Sequence, residues 1–477
     1  MFLCAYRPAV ELFALAIALA PMTYAQNTSS TASFAPTQNK QVTSIGDALR
    51  RAGNTPLRLI YIHGIGATQP YDSSDLRDSI CKELKDCVVK GGKPVSREYA
   101  DSGPFDPKSS TVPDIAYMGQ KLWSSKEEWM AADPFVDHYV IQLKRGQTIL
   151  LDEINWWPMV FSVKCRNMLP NETNLAGHDG TYLALCSTNK PHIGDGVSGR
   201  FDSYAWISSN QATTLTRIAN DGVLLNRKLK VNLMDWRFSD ALLGVGPLES
   251  YLVEATRQLL MKSVSNASVT TAQLTSKEPV LLDPNAEYIV ISHSLGSFLI
   301  FAALHLNGDD KSSNTLDGSN AERQHVFDYL LAHLSQAYFF ANQIPLLELA
   351  KLGSQEQSKR FLDLTNWAKQ RRSNVPTNWP SCEPLAQIVA WSDPNDLLTW
   401  YLGKDFQKWQ TDDTDGVSVV NRKVKNAVHW FWMIEGPTSA HDNYDKNRVV
   451  IRSLLRPVQP SYSPSTNCSD SDSKNPS

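Results

Sequence analysis

Short, continuous apolar runs alternate with longer amphipathic stretches along most of this chain, and this alternation limits the fold more than any other feature. A short unbroken apolar run predicts a strand buried on both faces, whereas apolar residues spaced three and four apart predict a helix. Strands that alternate with helices are typical of a parallel sheet covered by helices on both faces. The sequence therefore predicts an α/β fold with a doubly wound, mostly parallel sheet.

The apolar runs also locate the individual elements. Buried strands are predicted at residues 57–62, 230–236, 288–292, 338–341 and 386–391, with a last strand within residues 424–433. Helical patterns follow several of them, at residues 74–85, 248–265, 296–306 and 321–333. This order is the one expected of βαβ units.

Two regions depart from the alternating pattern. Residues 91–226 are rich in Gly, Pro, Asn and Trp and are predicted to form a large insertion or cap. Residues 346–380 form a second expected insertion, helical and basic in its middle, which we interpret as a solvated helix face. Its basic residues are Lys359, Arg360, Lys369, Arg371 and Arg372.

The two ends of the chain differ from the region between them. Residues 1–25 resemble a secretory signal, with Arg7 ahead of an apolar run and Ala25 at the expected cleavage position. Residues 26–44 and 457–477 are polar and predict a disordered linker and a disordered tail around a domain at 45–456. We therefore expect a secreted or periplasmic protein, with a retained membrane anchor as the alternative.

Six cysteines remain after the expected signal, and an even number in an exported chain favours disulfides. Neighbours in the chain close the smallest loops and meet most easily. The pairs predicted on this basis are Cys81 with Cys87, Cys165 with Cys186, and Cys382 with Cys468.

Charge and histidine spacing argue against several classes of partner. The chain has 46 basic and 49 acidic residues, a net charge of −3, which does not favour a nucleic acid. His178 and His192 lie near Asp179 and Asp195, but their spacing is not that of a metal site. We expect neither a metal nor a cofactor.

The most informative segment is a β-branched run that passes directly into an apolar, helix-like stretch, over residues 287–300. Ser294 stands at the junction, with Ser292 two positions before it and Gly296 two positions after it. A nucleophile on so sharp a strand-to-helix turn requires small residues at those two positions, because larger side chains would strike the neighbouring backbone. At a helix N-terminus, developing negative charge on Ser294 would be stabilised.

This segment resembles the nucleophile elbow of the α/β-hydrolase family, which is usually Gly-x-Ser-x-Gly, with Ser292 in place of the first glycine. The resemblance covers roughly residues 55–90, 228–345 and 384–456. It implies an α/β-hydrolase-like fold in which Ser294 is the nucleophile.

The resemblance also implies an oxyanion hole. The family places one donor in a turn after an earlier strand, and His63-Gly64-Ile65 follows the first predicted strand here. The second donor is the N–H that follows the nucleophile. The expected donors are therefore the backbone N–H groups of Ile65 and Leu295, and we expect His63 itself to be structural.

The family's acid and base follow the nucleophile in the chain. The acid is expected in the loop after the strand at 386–391, where the spacing favours Asp396. Asp393 is the alternative, although an aspartate before Pro394 commonly caps a turn through its side chain. The base is expected at His441 in a loop after the last strand, with His429 as the weaker candidate.

The resemblance thus implies a serine hydrolase that cleaves carboxylic esters, as lipases and esterases do, with an ester or lipid as its small-molecule partner. The expected signal segment implies that this hydrolase is secreted. Transient contact with a lipid surface is a further expectation. The aromatic patch at residues 156–161 is either a lid that contacts lipid or a buried structural cluster. The alternatives are a peptidase, a thioesterase, a lipid-linked deacylase, or a binding module that uses a hydrolase scaffold without catalysis.

Overall fold

A computed structural model describes the part of the chain that contains the central sheet. The described residues are 43–66, 72–100, 134–157, 160, 237–246, 249–265, 282–305, 319–349, 363–376, 379, 383–403, 406, 416–426 and 437–455. The expected signal segment and the tail after residue 456 lie outside them.

Strands and helices alternate along most of this part. The strands are β1 Leu57–Ile62, β2 Cys87–Lys90, β3 Ser96–Tyr99, β4 Phe135–Leu143, β5 Thr148–Asn155, β6 Glu287–His293, β7 Leu334–Phe340, β8 Ala386–Ser392 and β9 Val417–Lys423. The helices are α1 Ile45–Ala52, α2 Ser74–Leu84, α3 Ser239–Val245, α4 Glu249–Ser265, α5 Leu295–Ala303, α6 Ser319–His333, α7 Ile344–Leu349, α8 Leu364–Ser373, α9 Pro437–Asp442 and α10 Arg448–Leu455.

The nine described strands form one mixed, mostly parallel sheet. Its order is β2-β4-β5-β1-β6-β7-β8-β9, and β3 also pairs with β4. The strands from β5 to β9 along this order run parallel, whereas β4 is antiparallel to β5, β2 and β3. The predicted α/β class is confirmed, and the carboxyl ends of the parallel strands lie at one edge of the sheet.

Helices cover both faces of this sheet because the side chains of each strand alternate between the faces. On β1, Ile60 and Ile62 pack in a core that includes residues of α4, α5, α6 and α8. Leu59 and Tyr61 pack in the opposite core, with residues of α1, α2 and α10. Full burial of each such side chain stabilises the fold by about 1.5–3 kcal/mol.

The sequence analysis does not predict strand β9, Val417–Lys423, which ends in Asn421, Arg422 and Lys423 and so interrupts the apolar pattern. The strand expected within residues 424–433 lies mostly outside the described residues, and the three described ones, 424–426, are not in a strand. The predicted strand at 230–236 lies outside the described residues, as does His429.

Residues 134–155, inside the expected insertion at 91–226, belong to the central sheet. All of β1 pairs in parallel with residues 149–154 of β5, and β4 pairs with β5 through an antiparallel hairpin. The short strand β3 extends this part of the sheet further. The sheet therefore takes three strands from a region that the sequence predicts to lie outside it.

The second expected insertion, residues 346–380, also contributes to the core of the protein. Helix α8 lies within it and buries Leu364, Trp367 and Ala368. Arg371 is also buried and donates to the carbonyl oxygens of Ala332 and Leu385. The interpretation of this basic segment as a wholly solvated face is therefore wrong for Arg371, which ties the helix to its neighbours.

Cys81 and Cys87 form a disulfide, as the pairing of neighbouring cysteines predicts. Helix α2 ends at Leu84, between the two residues, and Lys85 turns the chain with a φ of 55°. This turn brings together two side chains that would face different directions on an unbroken helix. The other two predicted pairs involve residues outside the described part of the chain.

None of the helices in the described ranges is both long enough and apolar enough to cross a membrane.

Candidate active site

The sequence motifs meet because parallel neighbouring strands end at the same edge of the sheet. In the register of β1 and β6, Ile62 lies opposite Ser292. The turn His63-Gly64 is therefore beside His293-Ser294. The loop after β8 and helix α9, which follows β9, supply Asp396 and His441 from the same edge. Such an edge is where α/β sheets commonly bind their ligands.

Ser294 occupies the sharp turn that the sequence predicts. Its φ of 53° is unusual for a residue other than glycine, and helix α5 begins with the next residue, Leu295. The Ser294 N–H donates to the Phe340 carbonyl oxygen at 2.8 Å and so ties the corner to β7. Strained backbone of this kind persists where surrounding structure holds it, and it is frequent at functional sites.

The two small residues that flank the Ser294 turn have different surroundings. A Cβ on Gly296 would lie 2.5 Å from the His63 carbonyl oxygen, which is too close for any side chain. Ser292 is buried, and its Oγ lies 3.0 Å from Ser297 Oγ. The Ser292 hydroxyl therefore has a hydrogen-bond partner of its own.

The structure brings Ser294, His441 and Asp396 together in a line. Ser294 Oγ lies 3.0 Å from His441 Nε2, and His441 Nδ1 lies 2.9 Å from Asp396 Oδ2. All three residues are buried. Because a carboxylate only accepts, the imidazole carries its proton on Nδ1, which leaves Nε2 free to accept the hydroxyl proton.

The two candidate acids have different partners. Asp396 contacts the imidazole and also accepts from the Leu398 N–H at 2.9 Å. Asp393 instead accepts from the Asn395 N–H at 2.9 Å, the two-residue turn bond expected of an aspartate at this position, and from the Asn426 N–H. The geometry therefore favours Asp396 as the acid and leaves Asp393 holding the loop.

Tyr444 is a neighbour of the acid that the sequence motifs do not reveal. Its hydroxyl accepts from the Asp393 N–H at 2.7 Å and lies 3.5 Å from Asp396 Oδ2. Burial, together with the nearby Asp396 carboxylate, raises the pKa of Tyr444 far above its usual range. The hydroxyl therefore keeps its proton and can donate it to the carboxylate.

The two expected oxyanion donors are held in different ways. Leu295 is the first residue of α5, so its N–H is one of the four without an intrahelical acceptor. His63 Nδ1 lies 2.9 Å from the Gly64 carbonyl oxygen. In a trans peptide the C=O and the following N–H point in opposite directions, so this bond turns the Ile65 N–H away from His63.

His63 is buried and supports the turn, as expected of a structural residue. Its ring stacks on Trp156 with centroids 4.7 Å apart, and the Trp156 indole N–H donates to the His63 carbonyl oxygen. Burial lowers the pKa of His63 to about 4.

The aromatic patch at residues 156–161 is described only in part. Trp156, Trp157 and Val160 are buried, so this part of the patch is a structural cluster. Met159 and Phe161 lie outside the described residues.

An ion pair stands beside the imidazole. The guanidinium of Arg237 contacts the carboxylate of Asp442 through two hydrogen bonds, at 2.9 and 3.0 Å. Burial alone would raise the pKa of Asp442, but the charge and hydrogen bonds of Arg237, together with the nearby His441 and His293, lower it. The same arginine packs against Gly66, whose N–H donates to Asp240. The pair thus joins the turn after β1 to the helix that carries His441.

The sequence motifs miss Tyr444, Arg237 and His293, each of which touches this site. Only His293 had a local signal, since it directly precedes Ser294. Among the described residues, no three or more His, Cys, Asp and Glu side chains are arranged to hold a metal ion. His178, His192 and the aspartates near them lie outside that part of the chain.

Comparison of the chain with protein-family models, with curated proteins and with solved structures finds no match. A function for this protein is therefore inferred from the geometry of the site.

Proposed function

We propose that this protein is a serine hydrolase that cleaves carboxylic esters through an acyl-enzyme. The observation that carries the proposal is the unbroken line of contacts from Ser294 Oγ to His441 Nε2 and from His441 Nδ1 to Asp396, at 3.0 and 2.9 Å. These distances are within the hydrogen-bond reach that a nucleophile and its base require.

The proposed first step is acylation. Ser294 Oγ attacks the acyl carbon while His441 Nε2 takes the hydroxyl proton. Asp396 holds the imidazole in the required tautomer and stabilises the positive charge that forms on it. The developing oxyanion accepts from the N–H groups of Ile65 and Leu295, each worth about 3 kcal/mol of transition-state stabilisation.

The second half of the cycle returns the enzyme to its starting state. His441 gives the proton from Nε2 to the leaving alcohol as the bond between the acyl carbon and the alcohol oxygen breaks. Water then attacks the acyl-enzyme, with His441 as its base, and releases the acid and the free Ser294 hydroxyl. None of these steps uses a cofactor.

We further propose that the chain has the α/β-hydrolase fold. In support, the strand of the nucleophile lies in the interior of the sheet, beside the strand of the His-Gly turn. The nucleophile, acid and base also occur in the family's chain order, at Ser294, Asp396 and His441. The covering helices on both faces agree with a doubly wound arrangement.

The proposed substrate is an ester with an apolar acyl group, including a lipid. Two exposed apolar side chains follow the acid in the same loop: Leu397 is 70% exposed and Trp400 is 52% exposed. Apolar side chains at this edge of the sheet favour an apolar substrate or brief contact with a lipid surface. A secreted or periplasmic location is the matching proposal for the compartment.

Hydrolysis of a panel of chromogenic esters tests this proposal. We expect turnover by the purified protein and loss of turnover by Ser294→Ala with the fold retained. Ser373→Ala, which removes an exposed hydroxyl from the end of α8, is the matched control and should remain active. If Ser294→Ala retains turnover, the assignment of the nucleophile is wrong. Turnover of peptides or thioesters alone would instead favour a peptidase or thioesterase.

A further inference from the structure

We infer that His293 is a positioning residue that holds His441 within reach of Ser294. This inference rests on the proposed function, since it assigns the residue that maintains the distance between nucleophile and base. His293 ends strand β6, directly before Ser294 in the chain. Its role follows from one hydrogen bond and from the surroundings of its ring.

The hydrogen bond joins His293 to the backbone of the base itself. His293 Nε2 lies 2.8 Å from the His441 carbonyl oxygen. A carbonyl oxygen only accepts, so the proton of the imidazole is on Nε2. The side chain of His293 therefore holds the backbone of His441, while the Nε2 of His441 faces the Ser294 hydroxyl.

The helix that carries His441 needs such an anchor. Helix α9 has only six residues, and the last four carbonyl groups of any helix lack intrahelical donors. Two of these carbonyls are held by side chains from outside the helix. Asn426 Nδ2 donates to the Ala440 carbonyl oxygen at 2.8 Å, and His293 donates to that of His441.

The position of His293 in the chain makes this anchor specific to the nucleophile. His293 and Ser294 share one peptide bond at the turn, so the bond to His441 ties the helix of the base to the backbone of the nucleophile. A shift of about 1 Å in such a geometry can lower a rate about 100-fold. Asn426, which follows β9, has no comparable connection with Ser294.

The ring of His293 is also fixed by packing. It lies edge-on to the His441 ring, with centroids 5.2 Å apart, and edge-on to the Tyr444 ring at 6.1 Å. On the side of the turn after β1, a Cβ on Gly64 would be 2.6 Å from His293 Nδ1. The imidazole thus bridges the turn after β1 and the helix of His441.

The neutral state of the His293 ring supports its role as a positioning residue. Burial, and then repulsion from His441, lower the pKa of His293 against the opposing carboxylates of Asp442 and Asp72. A neutral ring keeps one N–H for the carbonyl bond. It also places no positive charge beside His441, which becomes positive during the proposed reaction.

The test compares two substitutions of similar length at this position. His293→Gln keeps an N–H donor that can reach the carbonyl oxygen, whereas His293→Met has none. His333→Met is the matched control, because His333 is also buried and contacts a carbonyl oxygen, that of Ala286 at 2.7 Å. Ala286 precedes β6, at the end of that strand far from the site. Initial rates give kcat and KM on one chromogenic ester.

We expect His293→Met to lower kcat about 100-fold with KM changed by less than about threefold, since the loss affects positioning and not ester binding. His293→Gln should restore most of kcat, and His333→Met should resemble the wild-type protein. A His293→Met variant with wild-type kcat would overturn the inference. Equal loss in the Gln and Met variants would also overturn it, because a packing role would not distinguish them.

A fluorophosphonate probe keeps the test independent of folding yield. At a fixed excess of probe, the first-order rate constant of labelling does not depend on how much protein is folded. We expect this rate constant to fall in His293→Met and to recover in His293→Gln; an unchanged rate constant would contradict the inference. Failure of the wild-type protein to label or turn over esters would instead overturn the proposed function, and the inference with it.

Discussion

Two aspartates lie three positions apart in the loop after β8, and only Asp396 contacts the imidazole of His441. Asp393 bonds the backbone of its own loop and the N–H of Asn426. Both carboxylates accept from the N–H two residues further on, but only Asp396 also faces the imidazole and can fix its tautomer. Exchange of each carboxylate for an amide separates these roles.

We expect Asp396→Asn to lower kcat by about 10⁴-fold, because an amide at this position favours the wrong imidazole tautomer. Asp393→Asn should lower kcat far less, because its amide oxygen can still accept from the Asn395 N–H and only the bond from the Asn426 N–H is lost. Steady-state ester hydrolysis by the two variants measures the difference. The reverse order of effects would identify Asp393 as the acid.

Sequence could predict the residues of the site only where a local pattern marks them. Ser294 is marked by small neighbours at a strand-to-helix junction, and Asp396 by its spacing after a buried run. Tyr444 and Arg237 contact the site from distant parts of the chain, through bonds to Asp396 and Asp442. No spacing in the sequence encodes such contacts, because they exist only after the strands have paired.

At the scale of elements, the turn after β1 packs at Gly64 directly on the side chains of His293 and Ser294, which belong to the turn after β6. A Cβ on Gly64 would lie 2.7 Å from Ser294 Cβ and 2.6 Å from His293 Nδ1. Any larger residue at position 64 must push the two turns apart. Because the turn after β1 supplies the Ile65 N–H, such a shift also moves an expected oxyanion donor.

We expect Gly64→Ala to lower kcat at least tenfold and to destabilise the fold by about 1–3 kcal/mol, as overpacked sites do. Gly92→Ala is the matched control, since a Cβ there would meet nothing within 4 Å. Its stability should remain within about 0.5 kcal/mol of the wild-type value. Urea denaturation and ester hydrolysis provide the two measurements; a fully active, stable Gly64→Ala would refute the close packing of these turns.

The elements that sequence predicts well are those with an unbroken apolar pattern. Strands β1, β6 and β8 fall within a residue or two of their predicted bounds for this reason. Strands β4 and β5 lie in a region that the sequence predicts to be an insertion, because its many Gly, Pro, Asn and Trp residues break the alternating pattern. On β4, Asp137 and His138 are buried, with Asp137 bonded to Arg97 and His138 bonded to Asp152. The sequence alone does not show which charged side chains will be buried in hydrogen bonds or ion pairs.

At the scale of the whole molecule, the buried His63 links the stability of the fold to pH. Burial lowers its pKa from 6.5 to about 4. Between these two pH values the unfolded chain binds a proton on this residue and the folded chain does not, so stability falls as the pH falls. Above about pH 6.5 the titration of His63 does not lower the free energy of unfolding, and by pH 4 it has lowered it by about 3 kcal/mol.

We expect His63→Phe to remove this part of the pH dependence while its ring remains stacked on Trp156. The free energy of unfolding, measured in urea from pH 7 to pH 4, should fall less steeply in the variant than in the wild-type protein. His325→Phe, at an exposed position, is the control for loss of a histidine. Parallel pH profiles for the wild-type protein and His63→Phe would show that His63 is not held neutral by burial.

The most direct measurement is the site at which a fluorophosphonate probe reacts with the folded protein. Such a probe phosphonylates a serine activated by an adjacent base, so peptide mapping of the adduct reports nucleophile and activation together. We predict a single adduct on Ser294, lost in His441→Gln and retained in Ser292→Gly, which removes the side chain of the serine two positions before it. An adduct on another serine, or an unmodified Ser294 in the native protein, would contradict the proposed hydrolase.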